Sequence, residues 1–139
     1  MYRFVSEDIE DMRKMVLTIR ELRLIDIRRD YRAIRKRYFG NSIPLVDEVA
    51  IVFVSGKIME SIFDEHCLGF CVEAELHHVG LSVIAIAEDS NPVETRLTLL
   101  HEMAHLKVEA KWNRNMGHGK YFKKEARRLM AAGALDDWF

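Results

Sequence analysis

The sequence predicts an α+β domain in which a small, mostly antiparallel sheet packs on a central helix and on N-terminal helices. Two observations predict this fold. Apolar residues recur at helical spacing towards both ends of the chain, and short β-branched runs occupy its middle. A chain of 139 residues has the length of one domain and can bury a core without disulfides. We therefore expect residues 1–139 to form a single domain.

Residues 1–40 are predicted to be helical. Ser6 is followed by two acidic residues, which is typical of a helix start. Two sets of apolar residues then step by three and four, and their register slips between Leu22 and Leu24. Either one long helix or two helices would fit this pattern, which ends at Gly40. The two sets are Ile9, Met12, Val16, Ile19 and Leu22, and then Leu24, Ile27, Tyr31, Ile34 and Tyr38.

Three segments in the middle of the chain predict the sheet. Residues 49–55 form a short apolar run that is typical of a buried strand. Residues 69–76 and 81–88 flank a turn signal at Gly80, so we expect them to form a hairpin. The segment 81–88 also offers a possible edge against which an extended peptide could pair.

A helix that begins after Asn91 carries the sequence His-Glu-x-x-His at residues 101–105. Residues four apart lie on one face of a helix, so His101 and His105 can converge on one zinc ion at about 2.0–2.1 Å. Glu102 would then project beside the metal, where it can accept a proton from a bound water. An ordinary amphipathic helix is the alternative, but the apolar flanks and the preceding strand favour a zinc site.

A catalytic zinc ion needs three protein ligands and an open position. Glu109 lies about 12 Å along the helix from His101, too far for one metal to bind both. His118 is flanked by glycines, and the chain that leads to it is long enough to fold back to the metal. We therefore predict His118 as the third ligand, with Glu125 on the last helix as the alternative.

The segments "TLLHEMAH" and "GHGKYFKKEARRL" together resemble the SprT-like metallopeptidases, which include the protease domain of Spartan, a DNA–protein crosslink protease. His118 and Phe122 match the family's third zinc histidine and the phenylalanine that follows it. The resemblance covers residues 43–132 and is loose over the N-terminal helices. Lys120 replaces a common proline, and residues 1–139 contain no cysteine zinc ribbon. The resemblance implies a zincin-like fold, a zinc cofactor, and a protein or peptide substrate.

Three functions compete. The leading hypothesis is a zinc metallopeptidase in which Glu102 is the base towards the attacking water and then the acid towards the leaving amine. DNA-associated proteins are candidate substrates for it. The second is a nucleic-acid-binding module with a structural zinc, in which the basic segment 28–37 and the tail 120–128 contact DNA. The third is a regulator-cleaving peptidase of the ImmA/IrrE type, which ligation by Glu125 would favour.

Charge, cysteine content and hydropathy together predict the cellular location of the protein. The formal net charge is −1, so the chain as a whole does not have the charge of a nucleic-acid or membrane protein. The two cysteines, Cys67 and Cys71, lack the spacing of a zinc ribbon, and we expect reduced thiols. The N-terminus has no apolar signal core, and no run is long enough to span a membrane. We therefore expect a cytoplasmic protein without a membrane partner, while its oligomeric state stays open.

Overall fold

The computed structural model describes residues 22–55, 57, 69–72, 82–112 and 118–136. Three helices and a three-stranded sheet lie within these ranges, which confirms a small α+β fold. The chain begins with helix α1 at 22–34, which continues as a π-helical turn over Arg35–Phe39. Three strands follow, namely β1 at Val49–Val54, β2 at Gly69–Val72 and β3 at Ser82–Ala87. The last two elements are helix α2 at Pro92–Trp112 and helix α3 at Lys120–Ala131.

Helix α1 contributes one side to the core. Four members of the second apolar set are buried, namely Ile27, Tyr31, Ile34 and Tyr38, whereas Leu24 is 37% exposed. The Tyr31 hydroxyl donates a hydrogen bond of 2.6 Å to the carbonyl of Pro44, which ties the helix to the segment that leads into the sheet. Most of the first apolar set lies outside the described residues, so the choice between one long helix and two is not tested.

The sheet has the strand order β1-β3-β2. Strands β2 and β3 pair antiparallel from Gly69–Ile86 to Val72–Val83, as predicted for the hairpin, whose turn lies outside the described residues. Strands β1 and β3 pair parallel from Val49–Ser82 to Val54–Ala87, and this ladder is the longer one. The prediction of a mostly antiparallel sheet is therefore wrong, since the described sheet is mixed.

The chain between β1 and β3 explains this error. Parallel neighbours need a connection of about a dozen residues or more, and the 27 residues from 55 to 81 exceed that length. The prediction that β3 offers a free edge is also wrong, because β3 is the central strand and pairs on both sides. Its side chains from Ile84 to Ala87 are fully buried. Among the described strands, the edges belong to β1 and β2.

Helix α2 packs against β2, β3 and α3. It is buried around most of its circumference, since Leu99, Met103 and Leu106 are all fully buried. This burial distinguishes it from an ordinary amphipathic surface helix. Its start is fixed by reciprocal hydrogen bonds: the Glu94 backbone N–H donates to the Asn91 side chain, and the Asn91 N–H donates to the Glu94 carboxylate. Asn91 therefore caps the helix, which begins directly after it as the sequence predicts. No helix among the described residues is long and apolar enough to cross a membrane.

Candidate metal centre

The middle of α2 positions the first two histidines of the site. His101 and His105 stand one helical turn apart, and their Nε2 atoms are 3.2 Å from each other. The two rings meet edge to face, with centroids 4.8 Å apart. Because α2 is held against the sheet on one side and α3 on another, the backbone that carries both rings is fixed.

His118 reaches the same point from the segment that precedes α3. Its Nε2 atom lies 3.0 Å from the Nε2 atom of His101 and 3.0 Å from that of His105. One turn into α3, the Phe122 ring packs against all three imidazoles, with centroid distances from 4.4 to 4.9 Å. The docking of α3 through Phe122 therefore helps to hold His118 beside the two α2 histidines.

The three nitrogen atoms fit a tetrahedral metal ion. With a metal–nitrogen distance of about 2.0–2.1 Å, tetrahedral ligands lie about 3.3–3.4 Å from one another, close to the observed 3.0–3.2 Å. Burial and then the neighbouring His118 lower the pKa of His101. Burial, His101 and His118 lower the pKa of His105 to about 4. Both rings are therefore neutral at pH 7 and can offer a lone pair to a metal.

Among the described histidine, cysteine and acidic side chains, these three form the group that could hold a metal ion. The rings of His101 and His118 are exposed, so solvent or a substrate can approach the group from one side. His105 is buried at 9% exposure and forms the inner wall. The geometry does not by itself select one metal among those that accept imidazole ligands.

Two buried glutamates share a face of α2 with His105. Glu109 is 7% exposed, and its Oε1 atom lies 4.0 Å from Nδ1 of His105, the ring nitrogen that faces away from the three-histidine group. A carboxylate in this position orients a ligand imidazole rather than binding the metal. Glu102 is 4% exposed, and burial followed by the charge of Glu109 raises its pKa to about 8. Glu102 is thus a much stronger base than an ordinary carboxylate.

Glu125, the alternative third ligand, lies elsewhere. Its carboxylate accepts a 2.9 Å contact from Lys107 Nζ and hydrogen bonds from Nε of Arg128 at 3.0 and 3.1 Å. Burial alone would raise the pKa of Glu125, but the hydrogen bonds from Arg128 and Lys107 lower it overall. The structure therefore brings His118, and not Glu125, to the two histidines of α2.

The sequence analysis missed the ion cluster that Lys107, Glu125 and Arg128 form. The spacing of Glu125 and Arg128 was a usable signal, because residues three apart on a helix are neighbours. No comparable signal existed for Lys107, which belongs to another helix and meets Glu125 only when α2 and α3 are docked.

The basic segment 28–37 is partly used inside the protein. Arg28 pairs with Asp47 at 3.3 Å, and Arg35 donates to the carbonyl of Ile43 at 3.1 Å. Arg32 is exposed. DNA contact by this segment stays a prediction.

A model of the SprT-like family matches residues 29–136, or 108 of the 139 residues of the chain. The chain belongs to the SprT-like family. The match extends further towards the N-terminus than the resemblance over 43–132, and it includes residues 29–34 of α1 and the π-helical turn that follows. Neither a search of curated proteins nor a search of solved structures found a match.

Proposed function

We propose that this SprT-like protein is a zinc-dependent metallopeptidase. The proposal rests chiefly on the convergence of three imidazole nitrogens at a site where His101 and His118 remain exposed. Structural zinc sites are closed by four protein ligands, whereas catalytic sites have three and keep one position open. Three histidines and an open side therefore favour catalysis over the structural-zinc alternative. Membership of the SprT-like family supports the same conclusion.

A zinc ion held by the three histidines would supply a Lewis acid that polarises a substrate carbonyl and lowers the pKa of a bound water towards about 7. The carboxylate of Glu102 accepts a proton from the attacking water and then returns it to the nitrogen of the leaving amine. Burial raises the pKa of the Glu102 carboxyl, and the charge of a bound zinc ion would lower it again, so that the carboxylate would be available as the base.

We propose that an extended substrate pairs with the edge of strand β2, and not with β3 as the sequence predicts. Strand β2 is a sheet edge among the described strands, and α2 packs against it as well as against β3. An extended peptide can add to such an edge through backbone hydrogen bonds, which hold it without regard to side chains. Proteins bound to DNA belong to the proposed substrates, with the exposed basic residues Arg32 and Lys36 as the first candidates for a DNA contact.

Substitution of Glu102 by glutamine tests this proposal. Glu102→Gln keeps the shape of the side chain but cannot accept the proton, so hydrolysis of an unfolded protein should fall by at least about 10²–10⁴-fold. Zinc content should stay at about one ion per chain. The exposed Glu48 provides the matched control, and Glu48→Gln should cleave as the wild type does. Fluorescence of a quenched substrate measures the rate, with and without DNA.

Two results would contradict the mechanism. If Glu102→Gln cleaves as fast as the wild type, Glu102 is not the base. If the wild type cleaves nothing in any condition, yet binds zinc and DNA, the nucleic-acid-binding module becomes the better hypothesis.

A further inference from the structure

A pocket of about 280 Å³ opens between α2 and α3, directly beside His101. Nine of the described side chains line it, of which eight are apolar and the ninth is His101. The pocket overlies part of the hydrophobic core, since several of its lining residues belong to that buried cluster. Its lining includes His101 and Ala104 from α2, and Phe122, Ala126 and Met130 from α3.

The pocket is continuous with the candidate metal centre. His101 and Phe122 belong to both, and their ring centroids are 4.9 Å apart. The Phe122 ring also stacks on His105, with ring centroids 4.4 Å apart. Consecutive Cα atoms of a peptide lie about 3.8 Å apart. When the carbonyl of a substrate bond is at the three-histidine group, the side chain next to that bond can therefore enter the pocket.

We propose that this pocket receives a large apolar side chain from one of the two residues that flank the scissile bond. The inference rests on the proposed peptidase function and adds the class of substrate. The small side chains of Ala104 and Ala126 leave the space open between the helices. A volume of about 280 Å³ lies at the lower limit of small-molecule sites, roughly 300–1,000 Å³, so it suits one side chain better than a cofactor.

This preference determines which proteins can be cleaved. Leucine, isoleucine, methionine and phenylalanine side chains are mostly buried in folded proteins. A peptidase that requires one of them beside the scissile bond acts on segments that become accessible when a substrate unfolds or is partly degraded. The pocket thus selects unfolded substrates through the residue that it binds, without any further recognition element.

Filling the pocket provides the direct test. Ala126→Leu places a larger side chain in the pocket, while Ala131→Leu makes the same change at an exposed position of the same helix. Calorimetry on the zinc-loaded protein compares two peptide-like hydroxamates, one with an isobutyl side chain beside the chelating group and one with none. The wild type and Ala131→Leu should each bind the isobutyl compound at least about tenfold more tightly than the unsubstituted compound. Ala126→Leu should lose that preference and still bind the unsubstituted compound.

A second variant covers the case in which Ala126→Leu does not fold. Met130 is 53% exposed at the rim, so Met130→Glu should fold and should weaken binding of the isobutyl compound alone. The cleavage products of an unfolded protein give an independent readout. In the wild type, large apolar residues should be enriched at one position beside the cleaved bond, and in Ala126→Leu small residues should replace them.

The outcomes separate this inference from the function on which it rests. Equal affinity of the wild type for the two hydroxamates would overturn the pocket proposal, even if cleavage depends on Glu102. Failure to bind zinc or either hydroxamate would instead overturn the proposed function. A variant without Trp138 and Phe139 tests whether the chain's own terminus is the occupant. A preference for the isobutyl compound that appears only after this deletion would show that the terminus fills the pocket of the intact chain, and it would overturn the pocket proposal.

Discussion

Helices α2 and α3 are linked at two places that differ in their chemistry. At one place the segment before α3 brings His118 to His101 and His105, and three ring nitrogens meet within 3.2 Å. At the other place, the Glu125 carboxylate of α3 meets Lys107 of α2 and Arg128 of its own helix. The first place brings three imidazole nitrogens together, and the second brings a carboxylate together with two cationic side chains.

This difference shows which of the two is suited to bind a metal. Three neutral imidazoles can each offer one ring nitrogen to a cation that lies between them, so the first place is suited to bind a metal. The charge of Glu125 is already matched by two cationic side chains, and a metal would have to displace them. Ligation by Glu125 would favour the ImmA/IrrE-type alternative, and the structure gives no support to that ligation.

The strongest test of this comparison is metal affinity. His118→Ala removes a nitrogen ligand, so we expect zinc affinity to fall by more than about 100-fold, the upper range for the loss of a residue that only supports a ligand. Glu125→Ala should change zinc affinity by less than about threefold. Competition with a fluorescent chelator measures both variants. A larger loss of affinity in Glu125→Ala than in His118→Ala would reverse the assignment of the third ligand.

A smaller effect should come from Glu109, which lies 4.0 Å from the far nitrogen of His105. Glu109→Gln keeps the volume but removes the charge that orients the imidazole and increases its basicity. Such a change typically lowers metal affinity by about 10–100-fold. The same competition assay measures it, with Glu48→Gln as an exposed control. Wild-type affinity in Glu109→Gln would show that His105 is oriented by packing alone.

Much of the site could be predicted because it is determined by residues that lie close together in the sequence. The spacing of His101 and His105 on a helix, the cap at Asn91 and the glycines around His118 each depend on residues close together in the chain. The buried side of α1 from Ile27 to Tyr38 was likewise visible as a periodic pattern.

What could not be predicted depends on docking. The apolar run of β1 indicates burial, but burial is the same for a strand that pairs parallel or antiparallel, so its direction was not encoded locally. The central place of β3 and the contact between Lys107 and Glu125 also arise between distant segments. The number of arginines in 28–37 did not reveal that Arg28 and Arg35 make contacts within the protein.

The ion cluster should contribute stability and little else. Glu125→Gln removes the charge from a side chain that is 9% exposed, but Lys107 and Arg128 are 30% and 39% exposed and can be solvated instead. We therefore expect a loss of about 1–2 kcal/mol in the free energy of unfolding, below the cost of breaking a fully buried pair. Urea unfolding measures this loss, with the exposed Lys124→Gln on the same helix as control.

The pH dependence of that loss shows whether charge is its source. The folded-state pKa of Glu125 lies below the ordinary value of 4.5, so the unfolded chain binds the proton more tightly than the folded protein does. The stabilisation is therefore complete above about pH 4.5 and is lost as the pH falls through the lower folded-state pKa. The difference in unfolding free energy between wild type and Glu125→Gln should be constant from pH 5 to about pH 7 and should shrink towards zero at lower pH. Other groups titrate in both proteins and largely cancel in this difference. A difference that persists undiminished at about pH 3 would show that Glu125 stabilises the helix pair through its shape and not through its charge.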